Sequence, residues 1–148
     1  MDYCNGSWVE VDLRRLRRNV ESIRRGLGKT RMIAVVKSDA YGHGLAGMAR
    51  GLGTAGVRNF AVAYAAEAEV VRREVPEAER IVVLGVVDPE LVPMLMRERI
   101  TPVVVSLEQA RALSAAAVAA GGKLKAHLKL DTGMGRHRVP QDSQPGSI

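Results

Sequence analysis

A parallel α/β fold is predicted for this chain of 148 residues. Three observations predict it. Short apolar runs alternate with stretches of helical periodicity along most of the chain. The apolar runs suit parallel strands covered on both faces. Glycine, proline or a capping residue stands at most junctions between them. Alternation of this kind builds right-handed βαβ units. The length suits one domain with a real core. Hydrophobic content of 47% and charged content of 26% are ordinary for a soluble globular protein. Aromatic residues make up only 3%, so Val, Leu, Ile, Ala and Met must fill that core.

Trp8-Val9-Glu10-Val11 alternates like a short strand. Asp12 then caps a helix whose stripe is Leu13, Leu16, Val20, Ile23 and Leu27, with Gly26 and Gly28 marking its end. The run Met32 to Val36 is a strand with Lys37 as its last residue. Gly42 and Gly44 break the chain before a helix from about Leu45 to Leu52. Phe60 to Tyr64 is a strand, and Ala65 to Arg73 a helix closed off by Pro76. Ile81 to Leu84 is a strand ending at Gly85. Asp88-Pro89 opens a helix running through Leu91 and Leu95 to about Arg99. Pro102 to Val105 is a strand. Ser106 and Gln109 form a capping-box pair for the next helix, which Gly121-Gly122 stops. Lys125 to Leu130 is the last strand. Both a doubly wound sheet and a barrel satisfy this alternation. No G-x-G-x-x-G follows a strand, so the dinucleotide-binding version lacks support.

The net charge of +6 comes from 22 Lys+Arg against 16 Asp+Glu. Much of the excess sits in Arg14, Arg15, Arg17, Arg18, Arg24 and Arg25. Such a cluster is able to attract nucleic acid or acidic lipid, but it reads more simply as the solvated face of an amphipathic helix. No interleaved aromatics accompany it, against an RNA role. No nucleic-acid or membrane partner is expected. Cys4 is the single cysteine and nothing nearby marks it as a nucleophile. The start of the chain lacks the apolar core of a secretory signal, and no apolar stretch reaches transmembrane length. A cytoplasmic location is the default.

Lys37 is the residue whose chemistry stands out. A lysine at the end of a buried strand is costly unless used, because desolvation lowers an amine's pKa and exposes a nucleophilic lone pair. The ends of parallel strands are where α/β barrels keep their chemistry. His43 has no partners at metal-ligand spacing and reads as a loop-stabilising residue; no metal is expected. The sequence Val35-Val36-Lys37-Ser38-Asp39-Ala40-Tyr41-Gly42-His43-Gly44 resembles the cofactor-lysine motif of the alanine racemases. A second match follows at His127-Leu128-Lys129-Leu130-Asp131-Thr132-Gly133-Met134-Gly135-Arg136. The likeness runs from Trp8 to Arg136.

The resemblance implies a partial (β/α)₈ TIM barrel of the alanine racemase N-terminal type over residues 1–136. It is followed by a divergent tail, 137–148, whose composition reads as disordered. It implies pyridoxal 5'-phosphate as cofactor, bound covalently by Lys37, which also acts as a base on one face of the substrate carbon. Tyr41 matches the tyrosine that hydrogen-bonds the cofactor phosphate. Arg136 matches the arginine that approaches the cofactor and the substrate carboxylate, for which a planar guanidinium is suited. Lys129 matches a lysine that is often carbamylated and then holds that arginine. Alternation along its strand is equally able to aim Lys129 at solvent. The intact family member interconverts L- and D-alanine as a homodimer and feeds cell-wall synthesis. Five strands of eight and one catalytic face imply that this chain alone is inactive. A non-catalytic cofactor-binding barrel and the product of an interrupted gene are the competing readings.

Overall fold

A computed structural model describes residues 8–133. Five strands form one parallel sheet: β1 (Ala34–Val35), β2 (Asn59–Val62), β3 (Arg80–Val83), β4 (Ile100–Val104) and β5 (His127–Leu128). Their order in space is their order in sequence. A doubly wound sheet reverses direction at a switch point. This one does not, so the crossovers keep to one side, as in a (β/α) barrel.

Alternation along the strands separates two faces. Phe60, Val62, Ile81, Val83 and Ile100 point to the helices. They join Val20, Leu45, Ala49, Leu52, Ala68, Val71 and Leu95 in the main core. Ala61, Val82 and Val103 point the other way and form a small separate cluster with Leu84 and Val105. That second face corresponds to a barrel interior. The register is continuous across it, with Val35 opposite Ala61, Ala61 opposite Val82, and Val103 opposite His127.

Helix α1 (Leu13–Leu27) starts where expected. The Asp12 carboxylate accepts from the backbone N–H of Arg14 at 2.8 Å and of Arg15 at 3.2 Å. The helix ends at Gly28, whose φ of 57° lies in the left-handed region that glycine occupies without strain. Its apolar stripe meets α3 (Leu45–Thr54) at Gly51, where an added Cβ would sit 2.8 Å from Leu13 Cδ2. Helix α4 (Ala65–Glu74) follows β2. Between β3 and β4 the expected single helix is split into a 3₁₀ turn (Pro89–Leu91) and α5 (Val92–Arg97). Pro93 has no N–H to give the Pro89 carbonyl, so the Val92 N–H takes it one residue earlier, which is 3₁₀ geometry. Helix α6 (Leu107–Ala119) begins as predicted, with Ser106 Oγ accepting from Gln109 N–H at 3.1 Å. Gln109 Oε1 reaches back past the cap to Val105 N–H at 2.9 Å.

The strand expected at Trp8–Val11 does not form. Alternation favours a strand only where a neighbour offers a ladder, and none of the described strands pairs with this segment; Trp8 is 82% exposed.

Two arginines tie the outer layer together. Arg72, on α4, is 8% exposed. Its Nε donates to the Glu98 carbonyl at 2.9 Å, and Nη1 donates to the carbonyls of Pro76 at 3.0 Å and Ala78 at 2.8 Å. Nη2 is buried without a partner. Burial lowers the Arg72 pKa, the nearby Arg99 charge lowers it further, and Glu98 opposes both. Arg50, on α3, donates from Nη2 to Glu74 Oε2 at 2.7 Å and from Nε at 3.0 Å. These bonds lead in holding the Glu74 carboxyl below the usual glutamate value, against the opposing effect of burial. A carboxyl depressed in the folded state adds stability above its unfolded value and loses it as pH falls through the folded one. Arg50→Gln is therefore expected to be less stable than the parent at pH 7. The gap should close as pH drops below about 4, the region where glutamates titrate. Urea unfolding of both proteins across that range checks this, and a gap independent of pH would contradict it.

Candidate functional site

The C-terminal end of β1 passes directly into α2 (Lys37–Gly42), a single turn wound left-handed. Ser38, Asp39, Ala40 and Tyr41 have φ of 54°, 53°, 53° and 56°. Side chains clash with the following carbonyl in this region, at roughly 1–2 kcal/mol per residue, so four in a row would cost about 4–8 kcal/mol without compensation. Three side chains supply it. Glu67 Oε1 accepts the N–H groups of Ser38 at 2.6 Å and Asp39 at 3.3 Å. Asp39 Oδ1 accepts Leu45 N–H at 2.6 Å and so also caps α3. His43 Nδ1 lies 2.8 Å from the Ala40 carbonyl and donates to it in the matching tautomer. Ala40 itself is buried in the main core and anchors the turn from below.

Lys37 is half-buried where this turn begins. The last β1 residue is Val35; Val36 still donates to the Ala61 carbonyl at 2.9 Å, and the ladder stops there. Tyr41 closes the same turn and is 59% exposed. Space beside Gly42 and Gly44 is open, with no heavy atom within 4 Å of where a Cβ would stand. The turn thus gathers a half-buried lysine, an exposed phenol and unobstructed backbone at one strand end.

Lys129 lies elsewhere. Its N–H donates to the Val104 carbonyl at 2.9 Å, extending the β4–β5 ladder by one residue. Alternation from His127, which is paired with inward-facing Val103, puts Lys129 on the inner face, where it is half-buried. β1 and β5 are the two edges of the described sheet, four strand spacings or about 19 Å apart along it. Lys37 and Lys129 therefore stand at opposite edges of the described sheet. Arg136 and the tail at 137–148 lie outside the described residues, as does Cys4. Among the described residues no group of three or more His, Cys, Asp or Glu is arranged to hold a metal ion. No described helix is long and apolar enough to cross a membrane.

Glu67 was not marked by the sequence pattern. It stands at the third position of α4, where a glutamate reaches back to the helix's first N–H groups. The usual signature has Ser or Thr at the cap. Tyr64 stands there instead, which hides it.

The residues fit a cofactor that carries an aldehyde and a phosphate. An aldehyde needs a primary amine, which Lys37 carries, and a phosphate needs donors, of which the exposed Tyr41 phenol is one.

The chain matches the family model described as "Alanine racemase, N-terminal domain" over residues 11–143. It is 38% identical to the alanine racemase of Desulforamulus reducens over 141 residues, covering 93% of this chain and 37% of that protein. Among solved structures, the alanine racemase of Clostridium difficile 630 superposes with a TM-score of 0.81 at 34% identity, covering 90% of this chain and 35% of that one. The alanine racemase of Bartonella henselae, whose structure has covalently bound pyridoxal phosphate, gives 0.79 at 27% identity, over 88% of this chain and 36% of that one. The chain thus spans about a third of the length of the relatives it matches.

Proposed function

Since this chain belongs to the alanine racemase N-terminal domain family, we propose that it carries the lysine-bearing part of a pyridoxal-phosphate-dependent racemase acting on alanine. The observation that carries this reading is Lys37 itself. It is an amine-bearing residue placed just past the end of β1, at the start of a turn whose strained form is braced from three sides. Such bracing fixes the backbone from which the amine extends, which a positioned base requires.

Lys37 would hold the cofactor and move the proton on one face of the substrate Cα. Bound pyridoxal phosphate supplies an electron sink for the charge left on that carbon. The Tyr41 phenol would donate to the phosphate. Arg136 would pair with the substrate carboxylate, and Lys129, if carbamylated, would hold Arg136. The proposal extends to a cytoplasmic homodimer making D-alanine for the cell wall, with the acid or base for the other substrate face supplied by the partner subunit.

The test needs no turnover. The purified chain is incubated with pyridoxal phosphate, reduced with borohydride and digested. Of the lysines at 29, 37, 123, 125 and 129, Lys37 is expected to carry most of the pyridoxyl label. Even labelling across all five, or preference for Lys125 or Lys129, would contradict the assignment.

A further inference from the structure

The Glu67 carboxylate is engaged in two directions. Oε2 accepts from Ala63 N–H at 2.8 Å and Tyr64 N–H at 3.2 Å, which is local helix capping. Oε1 accepts from Ser38 and Asp39 N–H, 29 and 28 residues away in the chain. Capping alone would need only the first pair. Four donors converge on one carboxylate and use its full accepting capacity. They belong to the ends of two neighbouring strands, β1 and β2.

The Ser38 N–H is the amide that follows Lys37. Fixing it fixes the peptide plane joining the two residues, and with it the direction in which the Lys37 Cα leaves the sheet. The other two braces act farther along, at Asp39 to Leu45 and at Ala40 to His43. Glu67 is the one that grips next to the lysine.

We propose that Glu67 is a positioning residue for Lys37. Its carboxylate clasps the left-handed turn to the start of α4, so that the amine is presented in one orientation. That role deepens the functional reading above and rests on it for the importance of Lys37. The clasp itself does not depend on that reading.

Glu67→Gln separates clasp from fold. Glutamine has the same shape, but its amide nitrogen repels N–H donors where an oxygen accepted them. The local pair on Ala63 and Tyr64 can keep the remaining oxygen, and the Ser38 and Asp39 amides then lose theirs. Amide exchange followed by NMR is expected to quicken about tenfold or more at Ser38 and Asp39, the loss of a bond to a charged acceptor. The amides of the β2–β3 ladder should keep their protection. In the same variant, the rate at which pyridoxal phosphate and borohydride label Lys37 should fall about tenfold relative to Lys125, as expected for a displaced reacting group. Unchanged protection at Ser38 and Asp39 would overturn the clasp. So would equal acceleration of every amide, which marks a merely structural residue. Freed amides with unaltered Lys37 labelling would overturn the positioning role. If Lys37 is not preferentially labelled in the parent either, the cofactor reading fails, and exchange alone decides the clasp.

Discussion

Replacing Arg72 with leucine is expected to destabilise the chain by about 3 kcal/mol, enough to remove a large part of a typical domain's stability. The leucine fills most of the space and removes a buried charge, which is a gain. It also strips donors from the carbonyls of Pro76, Ala78 and Glu98 at once. A buried acceptor left unpaired costs about 1–3 kcal/mol, and the buried Ala78 bond, lost together with the part-buried ones to Pro76 and Glu98, outweighs the relief of one desolvated guanidinium. Arg72→Lys should recover little, because an ammonium has no planar fork to reach acceptors in two loops. Chemical denaturation of the three proteins measures this. A leucine variant as stable as the parent would mean that water reaches those carbonyls.

Gly85→Val is expected to be the next most damaging change, at about 2–3 kcal/mol, near the upper end for overpacking. A Cβ on residue 85 would lie 2.5 Å from the Ala63 carbonyl oxygen. That oxygen is backbone and accepts from Gly85 N–H at 3.1 Å, so it cannot swing aside as a side chain would. The ends of β2 and β3 must part. Ala63 N–H is also one of the four donors on Glu67, so the strain is passed to the carboxylate that grips the turn after Lys37. Loss of thermal stability together with slower Lys37 labelling is the expected pair of results. Full stability would show that the two strand ends yield more easily than their hydrogen bonds suggest.

Features that depend on residues a few positions apart were legible in the sequence. Asp12 announced α1, and Ser106 with Gln109 announced α6, because a cap acts on N–H groups within the next turn. Strand positions followed from the apolar runs, and Gly85 from its place after one of them. The alternation alone left open sheet or barrel undecided, and the unreversed strand order settles it. Trp8–Val11 was misread because alternation reports a face and not a partner. The bend after Lys37 was expected from Gly42 and Gly44. The unusual backbone begins earlier, in Ser38 to Tyr41, where Asp39 alone is of a type enriched at positive φ. Arg72 looked like any helix arginine, since its burial is decided by carbonyls beyond its own helix. Glu67 was missed for the same reason: its second role is to residues 28 and 29 positions upstream. Of the residues picked out for the site, Lys37 and Tyr41 share one turn, and Lys129 stands at the far sheet edge.

Residues 38–41 trace the mirror image of an ordinary helical turn, a path natural to residues of the opposite chirality. Asp39 and His43 brace it from within, but the grip on the amide next to Lys37 comes from Glu67, 29 residues on. During synthesis Lys37 leaves the ribosome well before Glu67 does, and until Glu67 arrives the amide that follows Lys37 has no partner to hold it. A young chain therefore displays an ordinary, freely swinging lysine. Only when the second strand and its helix have been made and docked does that amine acquire a fixed bearing. Whatever selectivity Lys37 has toward an aldehyde is then a property of the finished fold, so newly made or unfolded copies should compete poorly for cofactor.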